Sequence, residues 1–317
     1  MDVIAIAYTD SHNHDFKQFN GNQSRVVKNL KVQSKIFKLA REYDVPVFFA
    51  GDMFHNQNNL SNQLLEKTLP KLKYWHKRTK SYNISGNHDQ CFPNTLDKPS
   101  PSYIKTLSQV FNNMYCIDHK SIEITDGVHL HGVPYISLNQ NFEDIINNIT
   151  LGKGKNILMI HTDLPGAKDT NYREVGTSFN IKYKIFNRFD LVLSGHIHLP
   201  QVLLPHVLMM GSPNQQKKSD SGIEYGCYLI KSDMSWEFIN MKGPEFIELE
   251  NDEEPPINDN WNYYYKTPKP RKKNAKDELK AIDTDNTELL VKQYLKSKGI
   301  TDKKRKKLLF RVLKDSK

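Results

Sequence analysis

Short apolar runs alternate with amphipathic stretches over the first two thirds of the chain. Val3–Tyr8, Pro46–Ala50, Ser81–Ile84, Ile157–Ile160 and Asp190–Leu193 have the length and apolar character of buried strands. Between the first two, Val26, Val27, Leu30, Ile36, Phe37, Leu39 and Ala40 recur at helical spacing and predict a helix over Gln23–Tyr43. Further helices are predicted from about Leu60 to His76 and over roughly Leu138–Ile149. Strand–helix–strand alternation implies an α/β fold with a largely parallel central sheet and helices outside it. Tyr115-Cys116, Ile122–Thr125 and His129–Val133 read as shorter strands extending that layer. Leu203–Leu249 reads as consecutive strands without helices, a second sheet packed on the first.

After Glu250 the pattern breaks. Asn251–Asp259 is acidic with Pro255-Pro256, and Trp261–Lys273 mixes aromatics, prolines and the basic run Lys269-Pro270-Arg271-Lys272-Lys273. Thr287–Lys298 then reads as a helix closed by Gly299, and Asp302–Leu313, capped by Thr301, as a second one. Three segments are expected: residues 1–249 as the main domain, 250–275 as a linker or reduced capping segment, and 276–317 as a basic helical hairpin.

Charge sharpens that division. The net charge of +9 suggests nucleic acid, but residues 1–265 hold 27 Lys+Arg against 29 Asp+Glu. The other 18 basic and 7 acidic residues lie in 266–317. The body is near neutral and the excess belongs to the C-terminal module. With 317 residues, 38% of them hydrophobic and 26% charged, the chain supports a packed core and is neither disordered nor fibrous. No run approaches the ~18–20 apolar residues of a membrane span. The N-terminus lacks a basic signal region, and the three cysteines form no C-x-x-C pair, so a reducing cytoplasmic setting is expected.

Metal-preferring side chains recur just after the predicted strands. Asp10-Ser11-His12 follows the first, Gly51-Asp52 the second and Gly86-Asn87-His88-Asp89 the third. His161 ends the fourth, and Gly195-His196-Ile197-His198 follows the fifth. The C-terminal ends of parallel strands line one edge of a sheet, where ligands bind. The glycines before Asp52, Asn87 and His196 are expected to permit sharp turns. Mixed oxygen and imidazole donors without thiolate suit manganese or iron better than a structural zinc. His14, His76, His119, His129, His131 and His206 are read as structural or surface residues.

This order of segments over residues 4–198 resembles the calcineurin-like metallophosphoesterase superfamily. The resemblance implies a two-metal phosphoesterase with a β-sandwich flanked by helices. Asp10, His12 and His198 would hold one divalent metal and Asn87, His161 and His196 the other, with Asp52 bridging. That partition agrees with the family's usual arrangement, and spacing alone does not fix it. Such a pair clamps a phosphoryl oxygen and activates water for in-line attack. His88, left over from the ligand set, would stabilise or protonate the leaving group.

Within the superfamily, Gly51-Asp52-Met53-Phe54-His55 resembles the G-D-x-F-H form of SbcD-type DNA-repair nuclease subunits, and lacks the Arg-Gly of protein phosphatases. His161–Ala167, Met210-Gly211-Ser212-Pro213 and the expected last core strand Phe246–Leu249 are similar to segments of the same proteins. The resemblance implies a manganese-dependent exonuclease on duplex ends and endonuclease on single strands, with His55 helping to position the DNA end. It also implies that residues 286–317 dock an SbcC-like coiled-coil ATPase of the SMC family, in a homodimer within a heterotetramer. Asn13-His14 stands where these families usually have Leu-Gly, and the capping region is short. A compact chain of this kind is expected of a bacteriophage recombination nuclease acting in the host cytoplasm. The other readings are a phosphatase or small-substrate phosphodiesterase, and a DNA-end tethering module with a secondary metal site.

Overall fold

The computed structural model describes residues 2–18, 24–92, 99–136, 142–175, 181–250, 252–256 and 259–267. The two C-terminal helices expected over 287–313, and the docking segment 286–317, lie outside the described residues.

Two six-stranded sheets make the body, which spans Met1–Lys266. In the first, β1 (Val3–Tyr8), β2 (Val47–Phe49), β3 (Ser81–Asn83) and β4 (Met114–Cys116) run parallel. Beyond β1 come β11 (Gly226–Lys231) and β12 (Trp236–Asn240), each antiparallel to its neighbour. In the second, β6 (Val128–Val133), β7 (Lys155–His161), β8 (Leu191–Gly195) and β10 (Val207–Met209) are parallel. Its edges are the antiparallel β5 (Lys120–Thr125) and β9 (Gln201–Leu204).

Period-two alternation sends each strand's side chains into two cores. Ala5, Ala7, Phe48, Leu130, Ile157, Met159, Leu191, Leu193 and Leu208 meet between the sheets. Ile6, Tyr8, Val47 and Phe49 face outward onto α1 (Arg25–Glu42), α2 (Asn62–His76) and α3 (Tyr103–Ser108). Leu158, Ile160, Val192 and Val207 pack on the opposite side with α4 (Phe142–Asn147) and the 3₁₀ turn Tyr183–Arg188. The fold is the β-sandwich flanked by helices that the resemblance implies.

The sequence pattern differs from this in three respects. It expects the five buried strands in one central sheet, yet β7 and β8 belong to the second. Strands buried on both faces read as continuous apolar runs, and such a run does not reveal which sheet it joins. The stretch 203–249 divides likewise, β10 going to one sheet and β11 and β12 to the other. Nor does the Phe246–Leu249 segment join the core sheets: β13 (Phe246–Glu248) pairs only with β14 (Tyr263–Tyr265), in parallel.

That small ribbon accounts for residues 263–265 of the segment after Glu250. Tyr263 is buried, with the Arg25 guanidinium 5.3 Å and the Lys28 ammonium 4.4 Å from its ring centre. Lys35 lies 5.4 Å from the Trp261 ring. Cation–π contacts thus strap residues 261–265 to the basic face of α1. Among the described residues, no helix is long and apolar enough to cross a membrane.

Candidate metal centre

All five segments identified by sequence converge at one end of the sandwich, three from the first sheet and two from the second. After β1 and β2 the chains continue side by side: Asp10 N–H donates to Gly51 O at 2.9 Å and His12 N–H to Asp52 O at 3.0 Å. Asp10, His12 and Asp52 hold left-handed backbones (φ 52°, 42° and 61°), as does His196 (φ 90°). Four non-glycine residues in that region at one site mark stored strain that the surrounding packing must hold. Of the three glycines expected to make sharp turns, only Gly51 has a positive φ (98°). Gly86 and Gly195 serve close approach instead. A Cβ on Gly86 would lie 2.1 Å from Asp52 Oδ1, and one on Gly195 would lie 2.3 Å from Thr9 Oγ1.

Among the described residues three ligand-like groups result, one of them His12, His55 and His88, and the other two carry the expected donor set. Asp10, His12 and His198 offer donor atoms within 4.8 Å of one another, as do Asp52, His161 and His196. Asp52 Oδ2 stands between the groups, 3.4 Å from His12 Nε2 and 3.4 Å from His161 Nε2. Its other oxygen accepts the His88 N–H at 2.8 Å. Asn87 completes the second group, its Oδ1 lying 2.9 Å from His196 Nδ1 and 3.1 Å from His161 Nε2.

The hydrogen bonds on the far sides of the rings decide what these groups can do. His161 Nδ1 donates to Ala50 O at 2.6 Å, so its Nε2 carries a lone pair. His196 Nε2 faces the Asp163 carboxylate at 3.1 Å, which leaves the lone pair on Nδ1. Asp52 Oδ2, Asn87 Oδ1, His161 Nε2 and His196 Nδ1 therefore aim electron pairs at one point. Without a cation this arrangement is repulsive. In the first group, Asp10 Oδ2 accepts from Thr9 Oγ1 at 2.8 Å and from the His196 N–H at 3.0 Å. Asp10 Oδ1 is buried with no hydrogen-bond partner, 3.6 Å from His12 Nε2 and 3.8 Å from His198 Nε2. An orphaned buried carboxylate oxygen is costly, and a cation relieves it. The donor set fits two divalent ions.

Protonation follows the same logic. Burial opposes charge on Asp10, but His12, His161 and His198 overcome it and hold the carboxyl at about 2. Burial likewise opposes charge on Asp52, and His161 and His12 drive it well below the usual carboxylate range. Burial would lower His161, yet Asp52 raises it to about 9, a proton filling the place that suits a cation. Burial and then His12 push His198 down to about 3, keeping it a neutral donor.

His88 and His55 stand over the first group. Their rings are 4.8 Å and 5.3 Å from that of His12 and 5.1 Å from each other. His88 Nδ1 hydrogen-bonds to the His55 carbonyl, which leaves Nε2 for a substrate atom. Burial, His12 and His88 lower His55 to about 4, so it is a neutral imidazole.

Three residues were missed by sequence reasoning. Asp89, though inside the Gly86–Asp89 segment, is no ligand: its oxygens accept N–H groups of Asp52 (2.7 Å), Gly86 (3.0 Å) and Met53 (2.9 Å). Asp163 orients His196, and Tyr135 packs on His196 with ring centres 5.6 Å apart. Asp163 had one visible signal, its position two residues after His161. His76 and His131, read as structural, are buried away from these groups, whereas His14 packs beside His55 at 5.8 Å.

Solved structures similar to this chain include the protein TT1561 of Thermus thermophilus, at 12% identity and a TM-score of 0.45, covering 76% of this chain and 100% of that one. A dimetal phosphatase from Danio rerio is similar at 9% identity and a TM-score of 0.45, covering 72% and 92%. No curated protein matches the chain. The model of the family described as calcineurin-like phosphoesterase matches residues 6–200, which hold all five converging segments, and the chain belongs to that family.

Proposed function

We propose that the chain is a two-metal DNA nuclease, an exonuclease on duplex ends and an endonuclease on single strands, serving as the nuclease subunit of an SbcCD-like recombination and repair complex. Asp10, His12 and His198 would hold one divalent ion and Asn87, His161 and His196 the other, with Asp52 shared. The mixed oxygen and imidazole donors suit manganese or iron, and the SbcD-type resemblance favours manganese. When bound, the pair supplies Lewis acidity toward the phosphoryl oxygens and activates the attacking water. The protein's own groups do the rest. His161 is locked in one tautomer by Ala50 O and His196 by Asp163. His88 keeps its Nδ1 proton on the His55 carbonyl and turns Nε2 to the leaving oxygen as proton donor.

What carries the reading from phosphoester to DNA is His55. It sits in the Gly-Asp-x-Phe-His segment, half-buried, with its ring against both His12 and His88. A neutral second histidine beside the leaving-group histidine suits the positioning of a diester strand. The near-neutral body would owe its attraction for phosphodiesters to bound cations, and residues 286–317 would dock the ATPase partner.

End-labelled duplex and single-stranded oligonucleotides, with manganese and with chelator, test this. Manganese-dependent cleavage by the wild type, abolished in Asp52→Asn, is the expected result. Hydrolysis of a nitrophenyl phosphomonoester without cleavage of DNA, even with the ATPase present, would make it a phosphatase. Co-purification of the ATPase with the chain lacking residues 286–317 would refute the docking role.

A further inference from the structure

Phe16 is 40% exposed, although it follows the first metal-binding segment by only four residues. Its ring stacks on His14, with centres 4.4 Å apart and planes 29° apart, so one face is covered and the other open. Its flank meets His55 edge to face at 5.1 Å. His55 in turn lies 5.3 Å from His12, so two ring contacts connect Phe16 to the first ligand group.

The ring is presented rigidly. Asn13 N–H and Asn13 Nδ2 both donate to Met53 O, at 2.9 and 3.0 Å. Gln33 Nε2 holds Asn13 Oδ1 at 2.9 Å, and His55 N–H donates to Asn13 O at 3.2 Å. The Asp15 carboxylate accepts the hydroxyl of Ser61, the cap of α2, and the Phe16 N–H donates to His14 Nδ1 at 3.2 Å. A pinned loop that leaves one aromatic face to solvent gains nothing for the core, since the face it buries is a histidine's. A flat open ring beside a phosphoester centre is instead the surface on which an unpaired base stacks.

We propose that Phe16 is a stacking platform for a nucleobase flanking the scissile phosphate. The centre's preferred substrate is then a strand with an unpaired base at the point of cleavage. The inference rests on the nuclease reading above. A base stacked there sets which phosphate reaches His88 and distinguishes a polynucleotide from a small phosphoester.

The test uses a single-stranded oligonucleotide carrying 2-aminopurine, with calcium in place of manganese so that binding is read without cleavage. The full-length wild type is expected to quench the fluorophore. Phe16→Ala should bind about 10-fold more weakly, the scale of one lost base stack, and lose the quenching. Phe16→Trp should retain both. With an abasic site at that position, the wild type and Phe16→Ala should bind equally. The platform is overturned if Phe16→Ala binds and quenches as the wild type does, or loses as much affinity for the abasic strand. Cleavage with manganese is scored separately. A wild type that quenches but cuts no DNA loses the nuclease reading, and with it the scissile phosphate, and keeps only a base-stacking site at Phe16. One that cuts DNA while Phe16→Ala is unchanged loses the platform and keeps the reading.

Discussion

The carboxylate of Asp89 accepts the main-chain N–H of Asp52 at 2.7 Å, beneath the left-handed turn that places the Asp52 carboxylate between the two histidine groups. With Gly86 and Met53 also donating, Asp89 ties the turns after β2 and β3 into one unit. Asp89→Asn replaces an acceptor oxygen with an NH₂ group facing a backbone N–H. The variant should lose about 1–3 kcal/mol of stability and bind manganese about 10–100-fold more weakly. Urea denaturation in chelator and manganese titration separate the two effects, and wild-type values in both would show that these hydrogen bonds do not hold the site.

Asp163 makes a narrower prediction. Its carboxylate lies 3.1 Å from His196 Nε2 and fixes the tautomer that turns Nδ1 inward. Both residues are partly exposed, so stability should change little. Asp163→Ala should weaken one metal equivalent about 10–100-fold and leave the other untouched. Two equivalents of unchanged affinity would mean that His196 needs no orienting partner.

The contrast between these residues and the ligands marks what the sequence reveals. The proposed ligands Asp10, His12, Asp52, Asn87, His161, His196 and His198 are visible because their chemistry is unusual at strand ends and their segments recur in order. Asp89 and Asp163 act through a neighbour, and a backbone N–H or the far nitrogen of a ring is specified only by tertiary placement. The strands are legible for a similar reason: Ile157–Ile160 reads as buried whichever sheet it joins. Its assignment to the second sheet depends on pairing with β6 and β8, which a run of apolar residues does not encode. The glycines are instructive too. Gly86 and Gly195 suggest turns in sequence but serve space, while left-handed backbones fall on Gly51 and on Asp10, His12, Asp52 and His196 themselves.

His88 should separate chemistry from metal binding. Its backbone N–H, not its ring, supports Asp52 Oδ1, and that bond survives substitution of the side chain. His88→Gln should therefore keep two metal equivalents while kcat falls about 10²–10⁴-fold, the range of a lost general acid. Loss of a metal equivalent in this variant would return His88 to the ligand set.

His76 predicts a pH dependence away from the metal centre. At the end of α2 it is 3% exposed, its ring 5.9 Å from that of Phe111 and 5.4 Å from that of Phe37. Its Nδ1 lies 3.3 Å from Ser81 Oγ. Burial pushes its pKa from 6.5 down to about 4, with a hydrogen bond at Thr79 opposing weakly. Between those values the unfolded chain binds a proton that the native state refuses, so stability is full above pH 6.5 and is lost as pH falls toward 4. From pH 7 to pH 5 the loss from this group is about 2 kcal/mol. His76→Phe removes the titration while other histidines cancel in the comparison. Urea denaturation in chelator should therefore show the wild type losing about 2 kcal/mol more than the variant over that interval. Parallel pH profiles for the two proteins would mean that the His76 pocket admits the charged ring, and that the packing of Phe37 and Phe111 around it is looser than the structure shows.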